Sequence, residues 1–124
     1  MNHRPESLAR SFQYAFSGLW QALRTQRNAR IHLAIAIAVI LFGLALRLDA
    51  GSWAILAVTI GLVFLAELFN TALEATIDMV VEDYQPKAKL AKDVAAGAVL
   101  ISAIMAVAVG LFVLGPPLLS RLGW

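Results

Sequence analysis

The chain of 124 residues contains no cysteine, which excludes disulfides and thiolate chemistry and leaves the compartment open. Charge is scarce as well. Only 15% of residues are Asp, Glu, Lys or Arg, against 60% hydrophobic, and the mean hydropathy is +0.77. That balance points to an integral membrane protein. The sequence has no internal repeat, low-complexity tract or linker, so a single domain over 1–124 is expected. No convincing cleavable signal peptide is present: the first apolar run begins only at residue 31 and a further span follows closely. There is no GxxxxGK[ST] loop and no soluble-kinase signature set, so any kinase chemistry here would not use a soluble fold. No nucleic-acid partner is expected.

What the sequence does have is three long apolar runs, 31–48, 53–79 and 94–114, each near or above the length that spans a bilayer as a helix. Their flanks are asymmetric. Arg4, Arg10, Arg24, Arg27 and Arg30 precede the first run, and Lys87, Lys89 and Lys92 lie between the second and third. The other two connections carry only Arg47 and Arg121. By the positive-inside rule the N-terminus and the second loop are cytoplasmic and the C-terminus lies outside, in a multi-pass protein of the inner (plasma) membrane.

The expected architecture is all-α: an N-terminal amphipathic surface helix at 5–27 and transmembrane helices at 30–48, 53–82 and 90–115. In the surface helix Leu8, Phe12, Ala15, Phe16, Leu19 and Leu23 share one face, with Arg10, Gln13, Ser17, Gln21 and Arg24 opposite. That pattern suits a helix in the headgroup layer or one packed on the protein's own spans. Arg27 and Arg30 read as anchors to lipid phosphates, and His32 as an interfacial hydrogen-bonder. Ala34, Ala38 and Ala45 suggest close packing of the first span, and Trp53 an interfacial anchor for the second. The second helix is expected to break before Pro86, and the third span to end at Gly115-Pro116-Pro117.

The informative stretch is Glu67–Asp78. The preceding run 53–66 has no charge and one polar side chain, Thr59. Then come Glu67, Asn70, Glu74 and Asp78, whose spacings of three, four and four put all four on one helical stripe. Carboxylates on an apolar helix are costly unless they bind something. At about 1.5 Å per residue, Glu67 lies roughly 21 Å beyond Trp53, within a hydrocarbon core of about 30 Å. Glu74 falls near the boundary and Asp78 beyond it, so the stripe runs from lipid into water. A domain of three spans has little interior in which to shield such a stripe, and a homo-oligomer is expected.

After Pro86, Lys89 and Lys92 share a helix face, and Lys92-Asp93 reads as an ion pair beside the small residues Ala95-Ala96-Gly97-Ala98. Carboxylates and a carboxamide next to lysines suit Mg²⁺ held with a polyphosphate, because Mg²⁺ takes few protein carboxylates and many phosphate and water oxygens. A remaining carboxylate could accept a proton from an attacking hydroxyl. The rival reading is a small ion- or proton-coupled transporter with Glu67 as intramembrane carrier, which leaves Asn70, Glu74, Asp78 and Lys92 unused. A third makes the polar residues the glue of an oligomer.

The two-part pattern Glu67-x-x-Asn70-Thr71-Ala72-Leu73-Glu74-x-x-x-Asp78 and Ala91-Lys92-Asp93-x-Ala95-Ala96-Gly97-Ala98-Val99 resembles the signature of the small prokaryotic diacylglycerol kinase family. The stretch Arg27-Asn28-Ala29-Arg30-Ile31-His32 looks closer to its undecaprenol kinase branch. The resemblance implies a homotrimer that transfers the γ-phosphate of MgATP to a membrane lipid alcohol, undecaprenol or diacylglycerol, at sites shared between neighbouring subunits. It further implies Glu67 as catalytic base and Glu74 as metal ligand, with Asn70 supporting metal and phosphates. Lys92 would bind the ATP phosphates, and Asp93 and Asp78 would shape the nucleotide side. Family members commonly carry a second metal-binding glutamate where this chain has Gln26. A neutral amide is a weaker Mg²⁺ ligand, so lower metal affinity is expected.

Overall fold

The computed structural model describes residues 7–124, and the described residues form four helices. These are α1 (Leu8–Thr25), α2 (Arg27–Leu46), α3 (Ala50–Val80) and α4 (Pro86–Arg121). Residues 5 and 6, where the first helix was expected to begin, lie outside the described residues. Ser7 caps α1, its side chain accepting from the Arg10 N–H. A single extended residue, Gln26 (φ −106°, ψ 114°), separates α1 from α2. The second helix therefore starts three residues before the expected span.

The α2–α3 turn is tight for identifiable reasons. Arg47 takes the left-handed conformation (φ 54°, ψ 55°), and the N–H groups of Arg47 and Leu48 return to the carbonyls of Leu44 and Gly43. Asp49 then caps α3, its Oδ1 accepting the Ser52 N–H at 2.8 Å. That backbone bond, helped by the Ser52 hydroxyl, holds the Asp49 carboxyl below the ordinary aspartate value. Its folded pKa being depressed, the cap contributes fully above the ordinary value and is lost as pH falls through the lowered one.

The α3–α4 connection is residues 81–85. Helix α3 ends at Val80, two residues short of the expectation, and Pro86 opens α4 at its first position, where a missing N–H costs nothing. The far end of α4 differs more. Gly115-Pro116-Pro117 does not end the helix, which runs on to Arg121 with both prolines inside it. Proline forfeits the bond to the carbonyl four residues behind it and leaves the N–H groups ahead free to continue the ladder.

Helices α2, α3 and α4 are each long and apolar enough to cross a membrane. At about 1.5 Å per residue α3 and α4 measure roughly 46 and 54 Å, so both outreach a hydrocarbon core of about 30 Å. Helix α2 packs on α3 through Ala29, Ala36 and Gly43, all buried, whereas Ala34, Ala38 and Ala45 are exposed. Alternation of Ala with larger residues offers two small-residue stripes, and periodicity alone does not choose between them. The buried side chains of α3 are Leu56, Val63 and Glu67, one stripe, while α4 buries none. Most large apolar side chains of the spans remain exposed in the single chain.

Gly43 lies under the Trp53 ring, so the tryptophan packs on α2 besides any interfacial role. A methyl there would stand 2.8 Å from Cη2 of Trp53 and 3.0 Å from Cδ1 of Leu48. Gly43→Ala should therefore destabilise the α2–α3 hairpin by about 1–3 kcal/mol, the usual range for overpacking. The check is the thermal or denaturant midpoint in detergent micelles. An unchanged midpoint would mean that the indole has room to move aside.

Candidate active site

Glu67 follows Val63 by one helical turn on the buried stripe of α3, so the helix that crosses the apolar layer also carries a carboxylate inward. It is 3% exposed and is the one buried polar or charged residue among those described. Its pocket, about 160 Å³, is walled by Leu19, Ala22 and Leu23 of α1, Ala29 and Leu33 of α2, and Phe64, Leu68 and Thr71 of α3. Oε2 has no hydrogen-bond partner. The nearby Thr71 hydroxyl is committed elsewhere, donating to the Glu67 backbone carbonyl at 2.9 Å. Expected to be hard to shield within one chain, Glu67 is in fact covered by α1 and α2 of the same chain. The small side chains of Ala22 and Ala29 let those helices come close.

One turn on, Asn70 donates from Nδ2 to Glu74 Oε1 at 3.4 Å, and its own Oδ1 is buried without a partner. Glu74 opens onto a groove of about 630 Å³ between α1 and α3, where Tyr14, Gln21, Thr25, Gln26 and Asp78 also line the wall. Gln26, at the α1–α2 joint, thus shares a cavity with Glu74, 48 positions away in sequence. Leu19, Ala22, Leu68 and Thr71 line both the groove and the Glu67 pocket. The two spaces adjoin, one apolar around a single carboxyl group and the other with several polar side chains in its wall.

Asp78 faces a second depression as well, about 290 Å³, shaped by the 81–85 connection and the start of α4. Glu82, Asp83, Tyr84, Lys89 and Lys92 line it. Lys92 donates to Asp78 Oδ1 at 2.5 Å, tying α4 to α3. The expected Lys92–Asp93 pair does not form. Adjacent helical residues point about 100° apart, and Asp93 pairs instead with Lys89, one turn back, at 2.5 Å. Six of the seven expected site residues are thereby linked: Gln26, Glu74 and Asp78 by the groove, Asn70 to Glu74, Lys92 to Asp78, and Glu67 in the adjoining pocket. Asp93 is exposed, lines neither the groove nor the depression, and reaches the latter only through Lys89. From sequence Gln21 reads only as part of the polar face of α1, and Tyr14 and Thr25 carry no signal that singles them out.

No group of three His, Cys, Asp or Glu side chains is gathered for a metal among the described residues. The donor set facing the groove is Glu74 and the Gln26 amide; Asn70 donates to Glu74 but does not line the groove, and its free Oδ1 is buried. That set fits Mg²⁺, which takes one or two carboxylates and completes its shell with water and phosphate oxygens. It does not make a closed structural cage.

These features define a polytopic helical membrane protein with a buried carboxyl group next to a groove that carries polar side chains. Residues 13–114 match the family model for prokaryotic diacylglycerol kinase, and the chain belongs to that family. It is 52% identical over 111 residues to a Synechocystis protein named diacylglycerol kinase, covering 89% of this chain and 63% of that protein's length. A Bacillus subtilis protein named undecaprenol kinase is 40% identical over 119 residues, 94% of this chain and 97% of the relative. An Escherichia coli diacylglycerol kinase is 33% identical over 99 residues, 76% and 77% of the two chains. The family and the three apolar helices together point to an inner-membrane protein. The transporter reading gains no support from these relatives.

The Lys92–Asp78 pair is accessible, its side chains 37% and 65% exposed. Exposed pairs contribute about 0–1 kcal/mol. Lys92→Ala should therefore leave the unfolding midpoint within that margin. A larger loss would make the pair a structural clamp rather than a cation available to a bound anion.

Proposed function

We propose that the protein is an ATP-dependent lipid kinase that transfers the γ-phosphate of MgATP to the hydroxyl of a membrane alcohol, undecaprenol or diacylglycerol. The observation that carries this reading is the partnerless Oε2 of Glu67 in an apolar pocket adjoining the Glu74 groove. An alcohol arriving from the lipid side would donate its hydroxyl to that oxygen. As the new bond from the lipid oxygen to Pγ forms and the bond to the β-bridging oxygen breaks, the hydroxyl proton passes to Glu67 and ADP leaves. Apolar walls would keep water, the competing acceptor, from the same position.

Glu74, with Asn70 and Gln26 beside it, would hold Mg²⁺, which when bound with the nucleotide neutralises phosphate charge. Lys92 would exchange Asp78 for the phosphates, with Asp78 and Asp93 on the nucleotide side. Supporting an assembly, α4 buries no residue within one chain, and Asp93 stands away from the groove. A homotrimer with sites shared between neighbouring copies would cover the one and recruit the other. The basic N-terminal segment and 81–93 region would face the cytoplasm, with the C-terminus outside. The exposed Leu8, Phe12 and Phe16 of α1 would lie in the headgroup layer.

The decisive assay incubates the purified protein with MgATP and each lipid alcohol in turn. A phosphorylated product from at least one is expected, and none from any would overturn the reading. Gln26 supplies a finer test. With one fewer negative charge than a second glutamate would give, the site should need more Mg²⁺. Gln26→Glu should lower the Mg²⁺ concentration for half-maximal rate with little change in the saturated rate. An unchanged Mg²⁺ dependence would remove Gln26 from the metal.

A further inference from the structure

We infer that Arg30 is a positioning residue: its guanidinium straps α1 to α2 and so sets how closely α1 roofs Glu67 and how near Gln26 stands to Glu74. A helix ends with four carbonyls that lack partners in the ladder. In α1 the Gln26 N–H takes the Ala22 carbonyl at 2.9 Å. The next two carbonyls, of Leu23 and Arg24, both accept from Arg30 Nη1, at 3.1 and 2.8 Å. A cation at the negative end of a helix is favourably placed, and charge-assisted bonds are the stronger kind. Among the described residues neither Arg24 nor Arg27 makes a side-chain hydrogen bond, so the strap is Arg30's alone.

The leverage comes from how little else holds α1. Gln26 is the sole non-helical residue at the joint, and Ala22 is the sole fully buried residue of α1, with Leu23 half-buried beside it. Yet Leu19, Ala22 and Leu23 form the roof of the Glu67 pocket, while Gln21, Thr25 and Gln26 form the α1 side of the Glu74 groove. Both spaces therefore widen or close with the angle at one residue. Arg30, one turn into the membrane-crossing α2, fixes that angle from the rigid side.

The chain has no cysteine, so single cysteines report cleanly. Ala22→Cys reads the roof, and Val63→Cys, 6% exposed in the native chain, reads the packing of the spans. Each is labelled with a small maleimide in micelles, in the native, Arg30→Gln and Arg30→Lys backgrounds. Arg30→Gln should speed labelling at Ala22→Cys by about twofold to tenfold, the scale expected for losing a hydrogen-bond donor at an exposed site. Labelling at Val63→Cys should stay unchanged. Arg30→Lys, still able to donate to the same carbonyls, should fall near the native rate.

The kinetic consequence rests on the lipid kinase reading: Arg30→Gln should raise the half-saturating lipid and Mg²⁺ concentrations more than it lowers the saturated rate. An unchanged rate at Ala22→Cys would overturn the strap. So would an equal rise at both cysteines, which would make Arg30 a general stabiliser. A loss of activity that follows anionic lipid content, with Ala22→Cys unaltered, would make Arg30 a lipid anchor instead. The expected labelling pattern in a protein that phosphorylates no lipid would uphold the strap and sink the kinase reading alone.

Discussion

A carboxyl group enclosed by aliphatic side chains, with one oxygen accepting no hydrogen bond, is a free-energy cost that folding alone does not recover. Glu67 is in that position, and much of the chain's local design follows from keeping it there. Leu56 and Val63 set the face of α3 that points inward, and Glu67 continues that face. Two alanines, Ala22 and Ala29, bring α1 and α2 over it. Leucine at either place would intrude on the roughly 160 Å³ pocket in front of the carboxyl group. On the proposed reading, the unmet acceptor would select for a donor on an otherwise apolar molecule.

From Glu67 outward, polarity rises turn by turn along α3. Asn70 keeps one oxygen buried and free, Glu74 is half-buried at a groove, and Asp78 is exposed and paired to a lysine from α4. Desolvation cost falls along the same path, so the most expensive group sits where the proposed lipid alcohol would arrive and the cheapest where the proposed nucleotide would. Low dielectric at the inner end strengthens any hydrogen bond made to Glu67, while at the outer end the exposed Lys92–Asp78 pair costs little to break. One continuous helix of 31 residues fixes the register between the two ends.

Much of this was legible in the sequence. The stripe was readable because residues three and four apart on a helix share a face. The three spans followed from length and composition, and Gln26, singled out by resemblance, does share a groove with Glu74. Other features depended on contacts that periodicity does not encode. Spacing alone did not choose between the Ala34/Ala38/Ala45 and Ala29/Ala36/Gly43 stripes. Lys92 and Asp93 are neighbours in sequence but diverge on the helix, and each found its partner a turn or a helix away. Pro116-Pro117 read as a stop because proline disrupts what precedes it, whereas the helix beyond is unaffected. Arg30 read as a lipid anchor because its partners are backbone carbonyls, which have no letter in the sequence.

The account turns on Glu67 accepting the proton of a lipid hydroxyl, and the most direct measurement is phosphorylated-lipid formation by Glu67→Gln alongside its nucleotide affinity. The amide keeps the shape and removes the basic oxygen. The account predicts a loss in turnover of roughly 10²–10⁴-fold, the usual contribution of a general base, with nucleotide binding unchanged because the groove and Lys92 are untouched. Turnover close to the native rate would contradict it, and the buried carboxyl group would then need another explanation.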